Sequence, residues 1–187
     1  AKATTVGNIG VEEANDTRWT SASAGVRMLL PDQSDLQARV FTDVETFHSN
    51  FLAVPTATPA RSIGRLTLRQ KVPTTGVGGS VQWSRAFGRR HDIQIGTDWR
   101  WVDGDSQEDA LDGVTGTTLT LTRVSGGTQQ SAGVFVQDIV TPLANLAVTV
   151  SARLDHWRNY DAHNLETNMP SGTPTITNFP SLPDRDD

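Results

Sequence analysis

Two runs of strictly alternating residues flank a Pro-Leu-Ala-Asn segment in GVFVQDIVTPLANLAVTVSARLDHW, Gly133 to Trp157. In the second run Leu146, Val148, Val150, Ala152 and Leu154 fall on one side, and Ala147, Thr149, Ser151, Arg153 and Asp155 on the other. A period of two places successive side chains on opposite faces of an extended backbone. Such a segment folds as a strand with one apolar and one polar face, and the apolar face must meet either a dry core or lipid.

The same pattern predicts four more strands. Between Thr20 and Leu30, Ala22, Ala24, Val26, Met28 and Leu30 oppose Ser21, Ser23, Gly25 and Arg27, and the run stops at the turn sequence PDQS, Pro31 to Ser34. From Leu36, Ala38, Val40, Thr42 and Val44 stand against Gln37, Arg39, Phe41, Asp43, Glu45 and Phe47. A third run, Gly79 to Phe87, ends at the Gly88 to Arg90 turn. The fourth sets His91, Ile93, Ile95, Thr97, Trp99 and Trp101 against Asp92, Gln94, Gly96, Asp98 and Arg100. About six strands are expected, in an all-β antiparallel meander whose sheet stays open, so that the first and last strands lack partners.

Connections alternate in length. Residues 51–76, with Pro55, Pro59 and Pro73, read as a long loop holding at most a short strand at Gly64 to Gln70. Residues 103–127, rich in Asp, Gly and Thr, read as a second, and the polar stretch after Tyr160 as a third. The short turns at 31–34, 88–90 and 142–145 then share one end of the strands. Short turns on one side and long loops on the other are the habit of an outer-membrane barrel.

Composition removes several function classes. A net charge of -5 without a basic stripe argues against nucleic acid as a partner. The absence of cysteine removes disulfides, zinc-thiolate sites and thiol catalysis. No run approaches the 18 or so apolar residues of a membrane helix, whereas a barrel strand needs only about 9–11 alternating residues. The opening AKATTVGNIG carries no targeting signal, which leads us to expect a processed chain or an internal piece.

Candidate chemistry is sparse. Asp103, Asp105, Glu108, Asp109 and Asp112 are hard oxygen ligands for calcium, but their order departs from an EF-hand, and a solvated surface loop is the better reading. His48, His91, His156 and His163 form no closely spaced metal motif, and Asp155 and His156 point to opposite faces. No GxSxG elbow is present, and Gly76 to Ser80 lacks the GK[ST] of a phosphate loop. No catalytic, metal-binding or cofactor-binding residue is assigned.

The informative residues are those on the strand faces. Arg27, Arg39, Asp43, Glu45, Asp98, Arg100, Arg153 and Asp155 suit a wet lumen, where they pair with one another and with a plug rather than line a substrate path. Val26, Val40, Ile93, Ile95, Val148 and Val150 suit lipid. Aromatics gather on the long-loop side, at Trp19, Phe47, Phe51, Trp99, Trp101, Trp157 and Tyr160, as an interfacial girdle would, with Trp99, Trp101, Trp157 and Tyr160 its principal members.

The opening hairpin, with its Val-Gln-Asp strand end, Pro-containing turn and Ala-Arg-x-Asp strand, resembles a barrel hairpin of TonB-dependent outer-membrane receptors. SVQWSRAFGRRHDIQIGTDWRWVDG, Ser80 to Gly104, is similar to another hairpin of that family. The resemblance implies a 22-strand barrel around a plug domain, energised by TonB, taking up a scarce nutrient such as a ferric siderophore, cobalamin or a glycan. It implies no cofactor. Residues 1–187 are then expected to be part of the barrel wall, with the plug absent. A soluble β-sandwich carbohydrate-binding module, stacking sugar on Trp99, Trp101 or Trp157, is the alternative.

Overall fold

The computed structural model describes residues 2–6, 14–53, 64–175 and 183–186. They form one antiparallel sheet: β1 (Lys2–Val6), β2 (Ala14–Leu29), β3 (Asp35–Ala53), β4 (Arg65–Phe87), β5 (His91–Leu111), β6 (Leu119–Leu143), β7 (Leu146–Asn168), β8 (Thr173–Pro174) and β9 (Arg185–Asp186). Strands pair in chain order from β1 to β8, and β9 also pairs with β7. This is the open meander expected, with nine strands rather than six.

The long loops shrink. β3 continues to Ala53 and β4 begins at Arg65, so the short strand expected at Gly64 to Gln70 is the start of a 23-residue strand. Pro55 and Pro59 lie outside the described residues. Pro73 lies within β4, opposite Thr46, and the β4–β5 ladder skips Val72 and Pro73 where a ring nitrogen has no hydrogen to donate. Of the expected loop 103–127, only 112–118 connects strands. β7 runs past Tyr160 to Asn168.

Two further corrections concern the edges. β1 covers β2 over Ala14–Arg18, and β8 and β9 cover β7 at Thr167, Asn168, Arg158 and Asn159. The outer edges over Thr20–Leu29 and Leu146–Trp157 have no partner strand among the described residues.

Short turns fall where the sequence puts them, and the meander brings all three to one end. Asp32 closes the first by accepting from the Ser34 amide at 3.2 Å and hydroxyl at 2.6 Å. Gly88 takes φ 64° in the second, a left-handed conformation that suits glycine. The third reverses at Ala144 and Asn145, while Pro142 stays on β6 beside a register shift between Val140 and Leu143.

The sheet has no conventional core. Among the described residues only Leu66 and Leu111, beside the 112–118 tip, are buried apolar side chains. Large apolar groups lie bare instead, including Val40 at 61%, Val134 at 53% and Leu154 at 74% exposure. Among the described residues no second layer covers them, since their nine strands all belong to one sheet. That arrangement removes the sandwich alternative, whose apolar stripes require a facing sheet.

Candidate functional site: two faces of one wall

Cross-strand register carries each side chain onto a row shared by six strands. One row reads Val26, Ala38, Val81, Thr97, Val134 and Leu154. The adjacent row on the opposite face reads Gly25, Arg39, Ser80, Asp98, Gly133 and Asp155. A step of one residue changes an apolar surface into a polar one, charged at Arg39, Asp98 and Asp155, across these six strands.

All six residues expected to face lipid share the apolar face: Val26, Val40, Ile93, Ile95, Val148 and Val150. Two threonines on this face turn their hydroxyls back onto the sheet. Thr97 Oγ1 donates to the Gly133 carbonyl at 2.9 Å, and Thr42 Oγ1 to that of Gly76 at 3.1 Å. Val150 stands near the short-turn end, across from Asp138, which meets His91 Nδ1 at 2.7 Å. The middle of the apolar band is the row through Val134 instead.

The expected aromatic girdle divides. Trp99 and Trp101 lie on the apolar face, and Trp101 Nε1 donates to the Tyr160 hydroxyl at 3.1 Å. Trp157 sits opposite Ser131, on the face of Arg153 and Asp155, and Trp19, Phe47 and Phe51 also lie on the polar face. Parity, not residue type, decides: Trp157 is an even number of residues from Arg153. A second aromatic pair borders the apolar band at the short-turn end, where the rings of Trp83 and Phe87 stand 6.3 Å apart at 55°.

Between those borders β5 offers eleven residues, His91 to Trp101, with an apolar face. At about 3.3 Å per residue and a tilt of about 40°, they rise about 28 Å, close to the apolar band of a barrel. From Asp103 to Asp109 both faces of β5 are polar, and the hairpin continues upward with Asp103, Asp105 and Asp109 on one face and Glu108 on the other.

All eight expected lumen residues share the polar face. Three are brought together. Arg153 reaches across β6 to hold Asp98 with two hydrogen bonds of 2.8 and 3.0 Å, and its Nε meets Asp155 at 2.8 and 2.9 Å. The guanidinium passes over Gly133, where a Cβ would strike both it and Asp155. Arg27 takes Asp35, Nε to Oδ2 2.6 Å. Arg39, Asp43, Glu45 and Arg100 make no ion pair with one another among the described residues.

A second polar network on this face was not legible in the sequence, because it lies in stretches that read as loop. Gln70 donates to Ser106 at 2.9 Å and Glu108 at 3.1 Å. Arg123 joins Glu108 and Glu166, each at 2.9 Å, and Thr175 donates to Glu166 at 2.8 Å. The two glutamates hold the Arg123 guanidinium above its usual pKa, chiefly through the hydrogen bonds it donates to Glu166.

The acidic run does not converge on an ion. Asp103 accepts from Thr128 at 2.7 Å, Asp105 meets His163 at 3.2 Å, and Glu108 meets Arg123. Asp112 closes the loop tip, accepting from the Thr115 amide and hydroxyl at 2.6 Å each and from the Val114 and Thr118 amides at 3.0 and 2.9 Å. These donors hold its carboxyl well below the usual range.

Comparison with known proteins bears on the whole wall. A family model described as TonB dependent receptor-like, beta-barrel, matches residues 4–182. No curated protein and no solved structure matched the chain.

Proposed function

Since the chain belongs to the TonB-dependent receptor-like β-barrel family and is a protein of the bacterial outer membrane, we propose that its sheet is a stretch of barrel wall in a transporter for a scarce nutrient. The family's members are transporters rather than enzymes. The apolar face meets lipid and the polar face lines the lumen. The outer edges of β2 and β7 pair with further strands that complete the wall. The observation that carries this reading is the pair of adjacent rows, one apolar and uncovered, the other charged, maintained across six strands.

In this reading the upper halves of the strands stand outside the bilayer, and the 112–118 tip joins the ligand-capturing surface. Ligand bound there moves inward when TonB acts on a plug seated against the polar face. Arg39 and Arg100 are suited to meet acidic plug groups, and Asp43 and Glu45 basic ones. The ligand falls in the class of ferric siderophores, cobalamin or glycans.

The test is uptake by cells carrying the full-length receptor. Labelled ferric siderophores, cobalamin and oligosaccharides are offered with and without an active TonB. One class should enter only when TonB is present while still binding to cells that lack it. Entry at equal rates in both cells would overturn the transport reading.

A further inference from the structure

The short-turn end of the wall carries four arginines in two different states. Arg27 is held by Asp35, and Arg85 by Asp32 at 2.9 Å, with its guanidinium carbon 5.1 Å from the centre of the Phe87 ring. Arg89 and Arg90 lie in the turn that follows, are exposed, and have no carboxylate within ion-pairing distance among the described residues. The acids nearby are otherwise engaged or turned away. Asp32 and Asp35 hold arginines, Asp138 meets His91, and Asp92 lies on the polar face opposite Ile139.

The turn is also fixed in place. Gly88 sets its backbone, and the Arg90 carbonyl accepts from the Thr141 amide of β6 at 2.7 Å. It sits at the foot of the apolar face, directly beyond Phe87 and one strand position from the Trp83–Phe87 ring pair. Two free guanidinium groups just outside an aromatic border stand at the depth of lipid phosphates, where arginine offers paired donors to an anionic oxygen.

We propose that the Gly88–Arg90 turn is a headgroup clamp, in which Arg89 and Arg90 bind the phosphate of an anionic phospholipid in the leaflet at the short-turn end. The site rests on the reading that the apolar face meets lipid. It adds a chemical preference to a contact that would otherwise be indifferent to headgroup. His91 does not join while Asp138 holds it, and Arg85 contributes aromatic anchoring rather than phosphate binding.

The experiment uses the full-length receptor reconstituted in phosphatidylcholine bilayers, titrated with phosphatidylglycerol and read by retention of bound lipid in native mass spectrometry. The double variant Arg89→Gln with Arg90→Gln should weaken phosphatidylglycerol binding about 30-fold, each arginine near an anionic surface contributing about fivefold. The double lysine variant should recover most of it, and Arg18→Gln at the other end should leave it unchanged. Soluble glycerol phosphate should not displace the lipid. Unchanged retention in the glutamine variant, or displacement by glycerol phosphate, would overturn the clamp. Lipid-borne quenchers applied to a fluorophore on Val134→Cys in the same bilayers separate the two readings. Quenching there without headgroup preference refutes the clamp alone, and no quenching refutes the lipid-facing assignment beneath it.

Discussion

Placing an arginine in the middle of the apolar band tests the orientation of the wall most directly. Val134 lies on β6 between Thr97 and Leu154, half exposed, with a branched neighbour on either side. If that exposure is to hydrocarbon, Val134→Arg near the midplane should cost about 2–4 kcal/mol. Val148, two rows from the turn and opposite Val140, is near the border, and Val148→Arg should cost about 0–1 kcal/mol because the guanidinium reaches the headgroups. Gln137, flanked by Gln94 and Ser151 on the polar face, should tolerate arginine within about 0.5 kcal/mol. The assay is urea unfolding of the full-length receptor in phosphatidylcholine vesicles, with all three variants compared at one lipid composition. A dry protein core would make Val134 and Val148 equally intolerant, since neither charge could then reach water. Equal costs at those two positions, or a larger cost at Gln137 than at Val134, would refute the assignment of faces.

Two further outcomes follow from the polar side. Gly133→Val should destabilise by about 1–3 kcal/mol in the same unfolding assay, because its side chain displaces Arg153 from Asp98 and Asp155, while Gly113→Ala, whose Cβ would meet nothing within 4 Å, should change little. At the loop tip Asp112 has a folded pKa depressed below its ordinary value of 3.8, so its contribution is present above that value and lost as pH falls through the lower folded pKa; the protection factors of the Thr115 and Thr118 amides, with the intrinsic exchange rate divided out, should therefore fall on strong acidification, and Asp112→Ala should lack that protection at every pH, an equally protected variant refuting the role.

How much could be read from the chain depended on what each face touches. Over His91 to Trp101 one face of β5 is apolar and the other polar, so alternation was visible and the strand was found. Over Asp103 to Leu111 the same strand continues with polar groups on both faces, and the period-2 signal vanishes although the ladder with β6 does not. The same happened at the start of β4, where Pro73 added a misleading break that the neighbouring ladder absorbs. Asp, Gly and Thr therefore marked a wet hairpin as loop. Trp157 differs for another reason: its even spacing from Arg153 sets its face, whatever its residue type suggests. The charged clasp was half legible, since parity placed Asp98, Arg153 and Asp155 on one side, but nothing in the sequence measures the reach of Arg153 across β6.

A wall without a buried core still has to close its own polar surface, and the glycines explain how. On the polar face Phe41 lies over Gly78, Phe135 over Gly96, and the Arg153 guanidinium over Gly133, each occupying the space a Cβ would fill. Large side chains thus lie flat across the neighbouring strand instead of projecting away from the sheet, covering backbone that glycine leaves bare. Each crossing couples two strands through side chains in addition to the ladder. The row Asp98, Gly133, Asp155 shows the consequence: one small residue lets a single arginine tie β5 to β7 across β6. On the apolar face Thr42 and Thr97 turn their hydroxyls back onto carbonyls and so need no water there. A single layer can then separate two solvents, because its stabilising contacts run along the sheet rather than between sheets.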